Sequence, residues 1–96
     1  MAKSLFCRTR TINLKPILEE LESEFKYLLI LNSACGDISD VIKENSWDYD
    51  VICGKIKLLW DLNFIDENEY AAIREYFSDM LRESERKTKI MKNGGK

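Results

Sequence analysis

The sequence predicts an all-α fold, a compact bundle of three or four helices with a short N-terminal arm. Three observations point there. Apolar residues recur at spacings of three and four over most of the chain, the period of a helix with one buried face. Helix start and stop signals sit where those stripes begin and end. The charged content is 33% against 45% hydrophobic in 96 residues, which suits amphipathic helices with heavily solvated outer faces in one small domain.

Residues 1–13 read as a basic arm. The stretch Cys7-Arg8-Thr9-Arg10-Thr11-Ile12 alternates loosely and is rich in β-branched residues, so a short strand is one reading and an unstructured arm the other. The first helix is expected from Leu14 to Cys35. Asn13 can cap it, Pro16 falls in the first turn where a missing N–H is harmless, and Gly36 is placed to end it. Leu14, Leu18, Leu21, Phe25, Leu28 and Leu31 or Asn32 trace its buried stripe. The run Tyr27-Leu28-Leu29-Ile30-Leu31 covers more than one face, which makes Tyr27, Leu29 and Ile30 a candidate apolar surface for a partner or a second copy.

A short helix is expected from Ile38 to Lys43 behind Asp37 as N-cap. A break at Asn45-Ser46 follows, because both side chains compete for local backbone groups. A third helix is expected from Asp48 to Leu62, with Gly54 marking a close helix contact and Asn63 a left-handed terminator. Asp66 and Glu69 form a capping box, and Ile65 with Tyr70 a hydrophobic staple. The helix they open continues to Met91 and ends at Asn93-Gly94. The expected core is Leu21, Phe25, Leu28, Ile52, Ile56, Leu59, Trp60, Ile73 and Phe77.

Charge divides the chain into three. Residues 1–15 carry four bases and no acid, and residues 86–96 carry five bases and no acid. Residues 16–85 hold all seventeen acids against six bases, a net charge of −11. An acidic helical domain over residues 14–85 is thus followed by a basic C-terminal extension over 86–96.

Chemistry has little to work with. Histidine is absent, which removes the commonest general base and metal ligand. Cys7, Cys35 and Cys53 are odd in number and widely spaced, favouring reduced thiols in a cytoplasmic setting. No apolar run approaches the ~20 residues of a membrane span. An enzyme and a bound cofactor are therefore not expected. Asp37, Asp40 and Glu44 fall at i, i+3, i+7, a spacing that solvated helix faces produce often.

Residues 38–62 can be drawn as a helix-turn-helix, but the second helix carries Asp48, Asp50 and Asp61, and a field of −11 opposes phosphate binding. Nucleic acid could be met only through the ends, with Arg8, Arg10, Arg86, Lys87 and Lys89 as candidate contacts. The segment Trp47-Asp48-Tyr49-Asp50 pairs interface-prone aromatics with acids. With Asp37, Asp40 and Glu44 it forms the candidate docking set for a protein with a basic surface.

The favoured expectation is a small non-enzymatic binding protein or inhibitor acting on a nucleic-acid-handling partner such as a host defence nuclease. The final Gly94-Gly95-Lys96 can be encoded by GGAGG and A-rich codons, a ribosome-binding sequence for a downstream gene, which suggests a tight operon of a low-GC bacterium or its phage; a phage or mobile element is the expected source. A dimeric DNA- or RNA-binding regulator and a structural subunit of a larger complex are the alternatives.

Overall fold

The computed structural model describes residues 13–94. These form three antiparallel helices, α1 (Leu14–Asn32), α2 (Ile38–Asp61) and α3 (Glu67–Gly94). The described residues hold no strand, and the strand considered for the N-terminal arm lies outside them. The α2–α3 interface is the most extensive and α1–α3 the slightest, so among the described residues the α1–α3 seam is the least closely packed.

Local chemistry sets most of the ends. The Asn13 side chain accepts from the Lys15 N–H at 3.0 Å and caps α1. The helix stops at Asn32, three residues short of the expected Cys35. Tightened bonds from Ala34 N–H to Leu31 O and from Cys35 N–H to Asn32 O close its last turn, in the 3₁₀ manner common at helix ends.

Gly36 is not a left-handed terminator, because no described glycine has positive φ. It is small for another reason: a Cβ there would run into the Asp40 carboxylate. That carboxylate reaches back to the Asp37 N–H while Asp37 accepts from the Asp40 N–H, a complete capping box. At the far end of α2, Asn63 takes φ 66°. Its N–H bonds Trp60 O, and the Phe64 N–H bonds Leu59 O, both at 2.9 Å. This pair of bonds is a Schellman motif with Asn in the glycine position. Asp66 and Glu69 then exchange the two 2.8 Å bonds of the expected capping box on α3.

The expected break at Asn45-Ser46 does not exist, and the two helices drawn around it are one 24-residue helix. Asn45 fails to interrupt the helix because its side chain has better partners elsewhere. It is fully buried, accepts from Asn32 Nδ2 at 3.1 Å and donates to Glu85 Oε2 at 3.3 Å. The Asn32 amide also donates to Asp48 at 2.8 Å. One polar layer thus ties all three helices together, and no buried side-chain polar atom among the described residues lacks a partner. The continuous helix also removes the turn that a helix-turn-helix requires.

Beneath this layer the core gathers Leu21, Phe25, Leu29, Ile52, Ile56, Leu59, Ile65 and Phe77. Phe25 stands at its centre, with its ring centroid 5.7 Å from Phe77 in edge contact and 6.2 Å from Tyr49. Trp60 and Ile73 line this core half-buried, and Trp60 stacks on Tyr70 at 4.7 Å. Leu29, at 5% exposure, takes the core place expected of Leu28, so it is no part of an open apolar surface. Gly54 faces open space, with nothing within 4 Å of where a Cβ would stand, and marks no close helix contact.

Candidate protein-docking face

Continuity of α2 brings residues together that a break would have separated. Trp47, Val51, Leu58 and Leu62 follow one another at four, seven and four residues, which holds them on one side of a helix. All four are exposed, Trp47 at 70%. Lys55 lies in the same stripe, and its ammonium meets Glu24 of α1 at 2.9 Å. Tyr27 and Leu31 follow Glu24 at i+3 and i+7 on α1, and both are exposed, Tyr27 at 62%. The Lys55–Glu24 ion pair therefore joins two apolar stripes into a single α1–α2 face. Exposed apolar side chains grouped on one side of a small chain make this a candidate interaction surface.

The expected docking residues divide on this geometry. Asp40, Glu44 and Trp47 fall at i, i+4, i+7, in the stripe that continues to Val51. Asp40 and Asp37 are engaged in the capping box, while their outer oxygens still add negative charge at that end. Glu44 is exposed one turn from Trp47. Asp48 is half-buried and accepts from Asn32, so it builds the fold and borders the face.

Tyr49 turns the other way, towards α3, and its hydroxyl donates to Arg74 O at 3.3 Å. Burial, reinforced by the Cys53 thiol, pushes its phenol above the ordinary value, against an opposing pull from Arg74. Asp50, three residues from Trp47 and Cys53, is exposed beside the stripe.

Tyr27 and Ile30, expected to share a surface, belong to different ones. Ile30, 68% exposed, lines the α1–α3 seam instead. That seam has two apolar concavities. One of about 490 Å³ lies among Leu18, Ile73, Tyr76 and Phe77, and one of about 370 Å³ among Leu29, Ile30, Met80 and Met91. Tyr76 crosses the first to donate to Glu22.

At the C-terminal end, Arg86 and Lys87 both reach Glu83, Arg86 through a bidentate contact. The hydrogen bond from Arg86 holds the Glu83 carboxyl below its usual range. Residues 86–94 are the last turns of α3. Lys89 is exposed on them, and Arg8 and Arg10 lie outside the described residues.

Sequence reasoning did not single out Val51, Leu58 and Leu62, and of the two residues offered to end the α1 stripe Asn32 is buried and Leu31 exposed. The signal was present as the 47-51-58-62 spacing, but it is legible only if the helix runs through Asn45. Among the described residues no group of three or more acids and thiols could hold a metal ion, and no helix is long and apolar enough to cross a membrane. No protein-family model, curated protein or solved structure matches this chain.

Proposed function

We propose that this chain is a non-enzymatic binding protein that docks its α1–α2 face onto a protein with a basic, nucleic-acid-handling surface, a host defence nuclease being the kind of partner that fits. The observation that carries the reading is Trp47, 70% exposed in the middle of a long helix. Val51 follows it one turn on in the same stripe, Glu44 and Asp40 precede it there, and the Lys55–Glu24 pair links this stripe to the exposed Tyr27 and Leu31 of α1. Tryptophan and tyrosine dominate interface hot spots because they bury a large area for few rotatable bonds. Acids around such an anchor add attraction at long range and reject acidic surfaces.

The basic end supports a nucleic-acid reading less well. Arg86 and Lys87 share Glu83, so this end presents mixed charge, where phosphate binding needs cations free to replace counterions.

The test is affinity capture on the full chain at low and at high salt, with the captured protein identified by mass spectrometry. The reading predicts a basic partner whose recovery falls as salt rises. An acidic partner, or recovery indifferent to salt, contradicts it.

A further inference from the structure

Along the α1–α3 seam an exposed apolar knob and an apolar hole stand apart on the same side of α1. The knob is Ile30, exposed beside the smaller concavity. The hole is the larger concavity, about 490 Å³ among Leu18, Ile73, Tyr76 and Phe77. Ile30 cannot fill it within its own chain, because about 18 Å of helix separate it from Leu18.

The charges of the seam discriminate between ways of covering it. Lys15, Glu19, Glu22, Lys26 and Ile30 follow one another at four, three, four and four residues, so they share one side of α1. Lys15, Glu19 and Glu22 line the larger concavity and Lys26 the smaller. Lys26 is exposed and meets Glu22 of its own chain at 3.9 Å. An ammonium has three donors, so Lys26 can serve a second acceptor.

A second copy laid antiparallel on the seam is related by a two-fold axis, and every contact then occurs twice. An axis midway between Glu19 and Glu22 sets these glutamates against each other and Lys15 against Lys26, so charge rejects it. An axis at the level of Glu24 does the reverse. It puts Lys26 opposite Glu22 of the second copy, each about 3 Å along the helix from the axis. Ile30 and Leu18 both lie about 9 Å from that level, on opposite sides of it. Ile30 of one copy therefore arrives at the larger concavity of the other. One register answers both the charges and the knob. On α3, Met80 lines the same concavity as Lys26, which brings it close to the axis and to its own counterpart.

We propose that a second copy of this chain covers the α1–α3 seam as an antiparallel two-fold dimer. Ile30 of each copy enters the Leu18–Ile73–Tyr76–Phe77 concavity of the other, and Lys26 pairs with Glu22 across the axis. The seam from Lys15 to Ser33 is about 27 Å long and two helices, about 20 Å, across, a footprint of roughly 500 Å² per copy. Footprints of that order belong to the smaller specific interfaces, so the dimer is a weak one that forms at micromolar concentrations and above. The α1–α2 face stays open on both copies, so this inference does not depend on the proposed partner.

Sedimentation velocity of the full chain over about 5–500 µM tests it. The unaltered chain should pass reversibly from monomer to dimer. Ile30→Lys, at an exposed position, should weaken the dimer more than about tenfold, and Trp47→Ala should change it less than about threefold. Lys26→Glu and Glu22→Lys should each weaken self-association, because each sets like charges across the axis. An equimolar mixture of these two variants should dimerise about as well as the unaltered chain, since Glu then faces Lys at both positions.

A monomer at every concentration overturns the proposal, and so does association that survives Ile30→Lys. A mixture that associates no better than its two components, both keeping the helical spectrum of the unaltered chain, overturns it as well.

Discussion

Replacing Asn45 with Ala separates local propensity from tertiary structure by the sign of the effect. Judged as one position in a helix, the change is a gain of roughly 0.5–0.7 kcal/mol, because Ala is the best helix former and Asn competes for the backbone. In the folded chain the side chain is fully buried and makes one bond to Asn32 and one to Glu85. A net loss of about 1 kcal/mol per hydrogen bond is typical, with more where the abandoned partner stays dry. Asn32 keeps Asp48 as an acceptor, and Glu85 is only half-buried, so water can serve it.

Two bonds and a small cavity, less the propensity gain, leave a destabilisation of about 2 kcal/mol. Urea unfolding followed by circular dichroism should show the midpoint falling by about 1–2 M, for a slope of about 1–2 kcal/mol/M. Ser46→Ala, exposed on the same turn, should move it little and serves as the control. A midpoint unchanged or raised by Asn45→Ala would refute the polar layer as the reason α2 is continuous.

Gly54 is helical, exposed and faces open space. Gly54→Ala should therefore stabilise the fold by about 1 kcal/mol, read as a melting temperature about 4–8 °C higher. Asp66→Ala removes the acceptor for the Glu69 N–H and should cost about 1 kcal/mol in the same unfolding assay. The Glu83 carboxyl is held below its usual range, first by the hydrogen bond from Arg86. A depressed carboxylate contributes stability above its unfolded pKa and loses it as pH falls through the folded value. A carbon-detected titration should place the Glu83 midpoint below that of an ordinary glutamate, and Arg86→Ala should move it up.

The features legible in the sequence are those whose cause lies within a few residues. Asp66 with Glu69 and the left-handed Asn63 involve partners no more than five positions away, and both stand where the sequence places them. Asn45 could not be read that way. Its partners are 13 and 40 residues distant, and without them Asn-Ser looks like a break. The choice between Leu28 and Leu29 was similarly open, since a run of five apolar residues carries no polar marker of phase.

Glycine misled at two of the positions where it was read as a signal. Gly36 makes room for Asp40, and Gly54 meets nothing. Among the candidate docking residues, Asp40, Glu44 and Trp47 share one stripe of α2, which the helical spacing displays, whereas the turn of Tyr49 towards Arg74 of α3 depends on a partner 25 residues away. The acidic charge is visible as composition, whereas the service of several carboxylates in caps, ion pairs and the polar layer is not.

Trp47 and Ile30 are almost equally exposed, at 70% and 68%, and they stand on different sides of the bundle. The affinity of the captured partner for Trp47→Ala and for Ile30→Ala, measured by titration calorimetry against the unaltered chain, is therefore the most direct test of the α1–α2 face. The face predicts that Trp47→Ala weakens binding by about 30-fold or more, the effect of losing a hot spot of about 2 kcal/mol, while Ile30→Ala changes it less than about threefold. Equal losses in the two variants, or a loss confined to Ile30→Ala, would contradict it.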